Sequence, residues 1–206
     1  MTVRLARGKP TVSCTAAPLR AFGTDVRNPR VRSLGCGYSR NMTTTPPALL
    51  RLPSPLGRLE LTADDDGILS LSIETDGHLP LEESAENPSP VLRRAAEQLD
   101  EYFAGTRHSF DLPVHLTRGT EFQRSVWARL STLGFGEVIS YGALGTDIGR
   151  AGLGRAIGGA VGANPVPIII GCHRVLATTG RITGYSAGQG IPTKAWLLDH
   201  EGIMHQ

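Results

Sequence analysis

The chain has 206 residues, 19% of them charged, a formal net charge of +2 and three cysteines, which suits one large or two small globular domains. No apolar run approaches the roughly 20 residues that a bilayer-spanning helix needs, so no membrane partner is expected. Cys14, Cys36 and Cys172 are odd in number and far apart, which excludes a disulfide framework and reads as reduced thiols of a cytosolic protein.

Charge is unevenly spread: residues 1–41 hold 8 Lys/Arg against 1 Asp/Glu, residues 42–117 hold 5 against 13, and residues 118–206 hold 8 against 5. An anionic partner therefore belongs with the last segment and not with the middle one. The first 41 residues show neither helical nor strand periodicity, and Arg, Gly and Pro recur through them. Residues 1–45 are expected to be a disordered basic extension. Three explanations compete for it: a flexible arm for nucleic acid, an organelle-targeting peptide, or sequence upstream of a start at Met42. The missing amphipathic stripe weakens the second.

Residues 46–117 are expected to form an α/β domain. "ALLRLPSPLGRLELTADDDGILSLSIETDG" reads as two or three strands joined by Pro-Ser-Pro and Asp-Asp-Asp-Gly turns. Alternation places Leu59 and Leu61 on one face, and likewise Leu69, Leu71 and Ile73, with Ser70 and Ser72 opposite. "PSPVLRRAAEQLDEYFAGT" supplies an N-cap at Ser89, Pro90 at the first helical position and an apolar face of Val91, Ala95, Leu99 and Tyr102, flanked by Leu92, Ala96 and Phe103. Gly105 ends that helix. "FDLPVHL" reads as a short strand that Pro113 confines to an edge.

In residues 118–206, "GTEFQRSVWARLSTL" predicts a helix with a Thr120/Gln123 capping box and a buried stripe of Phe122, Val126, Trp127, Leu130 and Leu133. "ISYGALGTDIG" follows as a shorter helix capped by Ser140, and after a break at Arg150 to Gly152 comes "LGRAIGGAVGAN". Each interior Gly costs about 1 kcal/mol relative to Ala, so Gly154, Gly158, Gly159 and Gly162 need a reason. Two fit equally: a smooth face, in a helix-turn-helix, that approaches another surface, or tight packing on a neighbouring helix.

"NPVPIII" is stiffened by Pro165 and Pro167, and Ile168 to Ile170 read as a fully buried strand that delivers Cys172 at its end. Lowering a thiol pKa from about 8.5 by about 2 units takes roughly 2.7 kcal/mol, part of which His173 and Arg174 can supply. Neighbours in a strand point to opposite faces, so either the chain turns at Gly171 or a water links thiol and imidazole. A buried, inert cysteine is the plain alternative. No papain-like arrangement and no Cys-x-x-Cys is present.

Taken together, "GTEFQRSVWARL", "FGEVISYGAL", "GRAIGGAVGANPVPIIIGCHRV", "TGYSAG" and "KAWLLDHEG" resemble, in order and spacing, the methylated-DNA-protein-cysteine methyltransferases, or O6-alkylguanine-DNA alkyltransferases, over about residues 48–203. The resemblance implies an N-terminal α/β domain with a ribonuclease-H-like sheet, then a mainly helical C-terminal domain whose helix-turn-helix binds alkylated double-stranded DNA in the minor groove. It implies that Cys172 takes the alkyl group from O6 of guanine, or O4 of thymine, once per molecule. His173 would act as base through a water, Glu201 would orient the imidazole, and Asn164 would brace the turn. Tyr141 would push on the phosphate and contact the flipped base, while Arg155 would fill the gap in the stack. Arg150 and Thr178 match DNA contacts, and Tyr185 and Ser186 match the loop that closes over the base.

No cofactor is implied, and the chain is expected to act as a monomer in the cytoplasm, at the nucleoid if bacterial. Cys14, Cys36, His78 and His108 reproduce no recognisable zinc pattern, so no metal is expected. One departure stands out: the family usually has Pro before the nucleophile, where this chain has Gly171. Glycine restores an N–H and loosens φ, which is expected to slow transfer. Two rivals remain: a non-catalytic lesion-binding protein that flags damage, which Cys172 opposes, and a helix-turn-helix regulator, for whose extra modules residues 1–41 are too short and cysteine-poor.

Overall fold

The computed structural model describes residues 46–206, so the expected disordered extension of residues 1–45 lies outside the described residues. Strands β1 (Ala48–Leu52), β2 (Leu59–Ala63) and β3 (Ile68–Ile73) form an antiparallel meander in the order β1-β2-β3. All five residues of the central strand are buried. Leu59 and Leu61 enter the core as expected; Glu60, on the opposite face, is tolerated because Arg51 Nε lies 3.1 Å from its carboxylate.

The register shifts at Thr62/Ala63, where Ala63 pairs with Ile68 while Thr62 pairs with Ser70. Leu69 is thereby bulged out, and Ile68 takes the buried place expected for Leu69, alongside Leu71 and Ile73. The turn before β3 requires glycine: Gly67 has φ +153°, and a Cβ there would lie 2.7 Å from the Pro113 carbonyl oxygen. That close approach lets Ile68 N donate to Pro113 O and His115 N to Ile68 O, both at 2.9 Å. The expected strand over 110–116 shrinks to this one parallel bridge, Ile68 to Val114, because Pro113 has no N–H to extend a ladder.

Helix α1 (Pro90–Phe103) covers the sheet and buries Leu92, Ala95, Leu99 and Tyr102. Ser89 is its N-cap residue but makes no side-chain cap bond, so Pro90 at the first position sets the start. In the helical half, α2 (Glu121–Leu130) has the full capping box, with Thr120 Oγ1 accepting from Gln123 N at 3.2 Å. Short strands β4 (Ile139–Ser140) and β5 (Val175–Leu176) pair in parallel. Between them lie α3 (Tyr141–Asp147) and α4 (Gly154–Gly162); α5 (Ile191–His200) closes the chain.

Helix α3, the turn after it and α4 form the helix-turn-helix. Trp127 Nε1 donates to Ala160 O at 2.7 Å and ties α2 to α4. The glycines of α4 do not serve helix packing. A Cβ on Gly154 or Gly159 would meet nothing within 4 Å, and on Gly158 or Gly162 only ordinary contacts at 3.9 and 3.7 Å. Of the two readings of this helix, the open smooth face is the one realised. One apolar core runs from Leu59 of the sheet to Leu197 of α5. Among the described residues no helix is long and apolar enough to cross a membrane.

Candidate active site

Ile168, Ile169 and Ile170 are buried as expected, yet they form a tight turn and not a strand. Pro165 and Pro167 remove two of the donors a ladder would use, and Asn164 satisfies the backbone in its place. Its Nδ2 donates to Ile170 O at 2.9 Å, and its Oδ1 accepts from Val166 N at 3.1 Å. Ile168 is held at φ +70°, a left-handed conformation that costs a β-branched residue of order 1–3 kcal/mol. The surrounding bonds and burial hold it there.

Cys172, His173 and Arg174 then make one 3-10 turn. At three residues per turn, successive side chains diverge by about 120°, so the opposite-face problem of a strand does not arise. The Cys172 thiol lines a cavity, 3.8 Å from the Tyr185 hydroxyl, while His173 and Arg174 turn into the protein.

Behind the thiol, one carboxylate gathers five donors. Glu201 Oε1 accepts from His173 Nε2 at 2.8 Å, Arg174 Nη2 at 2.8 Å and the Tyr102 hydroxyl at 2.9 Å. Glu201 Oε2 accepts from Arg174 Nε at 2.8 Å and Gly136 N at 3.1 Å. Burial would raise the Glu201 pKa, but the bonds from His173 and Arg174 hold it well below the usual carboxylate range. Burial lowers the His173 pKa, with Glu201 pulling it back up. Burial also raises the Cys172 thiol, which Asn164 and Tyr185 partly offset. Both shifts disfavour the thiolate–imidazolium ion pair at this buried site. His173 Nδ1 is buried and has no hydrogen-bond partner among the described residues.

The cavity beside Cys172 has a volume of about 500 Å³ and takes walls from Tyr141, Arg155, Gly158, Tyr185, Ser186 and Lys194, among others. Ser186 Oγ donates to Gly162 O at 2.6 Å, and Thr183 Oγ1 donates to the Tyr141 hydroxyl at 3.2 Å, so the 183–186 loop is tied to both helices of the helix-turn-helix. The structure therefore brings together Cys172, Tyr141, Arg155, Tyr185 and Ser186 at the cavity, with His173, Glu201 and Asn164 supporting from within. Arg150 and Thr178 do not line it; both are exposed, on the turn before α4 and the turn after β5.

Gly171 has φ −68°, which any residue and proline in particular can adopt, so conformational freedom is not what this position uses. A Cβ there would lie 2.8 Å from Arg174 Nη1 and 2.9 Å from its Cδ. Glycine makes room for the guanidinium that clamps Glu201.

Sequence reasoning missed the roles of Lys194 and Tyr102 and gave Arg174 the wrong partner. Lys194 is buried, donates from Nζ to Val175 O at 2.6 Å, and is lowered by burial to about 8. Its spacing from Leu197 and Leu198 on one face of α5 was the available signal. Arg174 was read as acting on the thiol but pairs with Glu201. Tyr102 was read as core alone, and nothing local reveals a partner 99 residues away. Among the described residues, Asp64, Asp66 and His115 bring ligand atoms within 4.8 Å of one another. They are partly or fully exposed, and Asp64 already accepts from Asp66 N, Gly67 N and the His115 ring.

A cysteine presented to a cavity beside a helix-turn-helix, over a buried His–Glu pair, defines a class of fold that sets a thiol next to a candidate nucleic-acid interface. Two models of one family match the chain: the 6-O-methylguanine DNA methyltransferase ribonuclease-like domain over residues 51–116 and its DNA binding domain over residues 121–203. A methylated-DNA–protein-cysteine methyltransferase of Mycolicibacterium paratuberculosis is 42% identical over 146 residues, spanning 70% of this chain and 86% of that one. One of Shigella flexneri is 44% identical over 121 residues, 59% of this chain and 67% of that one. The solved structure of Mycobacterium tuberculosis OGT in complex with DNA superposes with a TM-score of 0.67 at 38% identity, over 75% of this chain and 93% of that one. The chain belongs to the 6-O-methylguanine DNA methyltransferase family.

Proposed function

We propose that this protein repairs alkylated DNA by direct reversal, moving the alkyl group from O6 of guanine, or O4 of thymine, irreversibly to Cys172 Sγ. The observation that carries this reading is a buried thiol in the wall of a cavity of about 500 Å³, a size usual for small-molecule sites, backed by a His173–Glu201 pair whose Nδ1 is unpartnered. The likeness to a relative crystallised with DNA supports the partner.

Residues 46–117 and 118–206 act as two domains, the second holding double-stranded DNA from the minor groove. The smooth face of α4 fits that narrow groove, and Arg155 enters the stack as the target base leaves it. Extrusion costs a few kcal/mol, least for a weakened pair. Arg150 and Thr178 contact the backbone, Tyr141 presses on the phosphate, and Tyr185 and Ser186 close over the base.

His173 Nδ1 takes the thiol proton through a water, and Glu201 stabilises the imidazolium. The thiolate attacks the alkyl carbon in line, the carbon–oxygen bond breaks, and the departing base takes up a proton. Thiol hydrogen is exchanged for alkyl, so no step needs a cofactor. Asn164 keeps the turn rigid through its two backbone bonds. The protein acts as a monomer in the cytoplasm, at the nucleoid in a bacterium.

Titrating the protein with excess oligonucleotide carrying labelled O6-methylguanine tests this. Transfer is expected to stop at one methyl per chain. No transfer with tight binding favours a protein that flags lesions, and continued turnover refutes a thioether end product.

A further inference from the structure

The donors on Glu201 come from three separate parts of the chain. His173 and Arg174 belong to the turn beside the thiol, Gly136 to the loop before β4, and Tyr102 to the last turn of α1, in the sheet half. Tyr102 is fully buried, and its ring packs on Phe103, Phe110, Phe135 and His200 at centroid distances between 4.9 and 6.1 Å. Phenylalanine would serve that packing equally well. The hydroxyl occupies the third donor place on Oε1, the same oxygen that accepts from His173 Nε2.

We propose that Tyr102 is a positioning residue for alkyl transfer: through Glu201 Oε1 it fixes the orientation of His173 and limits how strongly the carboxylate draws the imidazole proton. The sheet half thereby takes part in the chemistry of the helical half. This role rests on the reading of Cys172 as acceptor and His173 as its base.

The groups facing the pair support a defined direction. Arg174 and Lys194 disfavour a charged imidazole, and Glu201 favours it. Burial disfavours a charged Cys172, and His200, against the Tyr102 ring, bonds the Tyr102 carbonyl at 2.7 Å. Removing the Tyr102 hydroxyl leaves more of the Oε1 charge to His173, which then holds its proton to higher pH.

The test measures the single-turnover rate of methyl transfer against pH for the parent, Tyr102→Phe and Leu99→Ala. Leu99 is a fully buried residue one turn before Tyr102 on the same helix, so its variant reports lost packing with the Tyr102 hydroxyl retained. In Tyr102→Phe the midpoint of the acid limb is expected to rise by about 0.5–1 pH unit and the plateau rate to fall, while Leu99→Ala keeps the parent midpoint. A parent that transfers methyl, with Tyr102→Phe keeping its midpoint, overturns this role alone. A parent that transfers none overturns the functional reading and this role together.

Discussion

Replacing Gly171 by proline should weaken the protein, although proline is the residue the family usually carries there. The backbone accepts it: φ is −68°, and the Gly171 N–H donates to no backbone group among the described residues. Lower freedom in the unfolded chain would favour the variant by about 0.4–1 kcal/mol. Against this, the new Cβ would fall 2.8–3.0 Å from the Arg174 guanidinium, which is buried and bonded to both Glu201 oxygens and to Leu133 O. Overpacking costs about 1–3 kcal/mol. Each hydrogen bond to a charged group that is lost costs about 1.5–3 kcal/mol more. With one such bond broken, the net loss is about 1.5–5.6 kcal/mol, or a fall in Tm of roughly 3–22 °C at 2–4 °C per kcal/mol. Transfer should slow too, because Glu201 loses part of its clamp. The assay is thermal unfolding beside the single-turnover methyl-transfer rate. A Gly171→Pro variant with an equal or higher Tm and faster transfer would show that Arg174 does not occupy this space and that glycine merely loosens the turn.

Further outcomes follow from other parts of the fold. Gly159→Ala should raise Tm by about 2–4 °C, since alanine gains up to about 1 kcal/mol in a helix and its Cβ meets nothing within 4 Å. The same change should weaken DNA binding, measured by fluorescence anisotropy; unchanged affinity would mean that this face of α4 does not approach DNA. Stability should fall with acid in two stages, followed by Tm between pH 8 and 3. His173 is lowered from 6.5 in the folded state, so its contribution is full above about pH 6.5 and is lost as pH falls below that value. Glu201 is lowered from 4.5, so its contribution is lost below about pH 4.5. A Tm that holds level from pH 7 to 5 contradicts the first assignment.

Much of this was legible in the sequence because it depends on local rules. The Thr120/Gln123 box, Ser140, and the apolar spacing of Leu92, Leu99 and Val126 each act within one or two turns of helix. The three isoleucines misled because burial and strand formation are separate matters: their apolarity predicted the first, while Pro165, Pro167 and the Asn164 side chain decided the second. Leu69 misled because a bulge leaves no mark in a short alternating run. The reason for Gly171 lay three residues on, in where Arg174 turns, and the Tyr102–Glu201 bond joins residues that only the packed core brings together. Motif resemblance singled out Cys172, His173 and Glu201, but the further donors to the Glu201 carboxylate came from tertiary structure.

The central claim is that Cys172 is a once-used alkyl acceptor. Intact mass spectrometry after incubation with a duplex containing O6-methylguanine, followed by peptide mapping, tests it directly. The account predicts a gain of one methyl group located on Cys172 and absent in Cys172→Ser. An unchanged mass, or a methyl group found on any other residue, would contradict it.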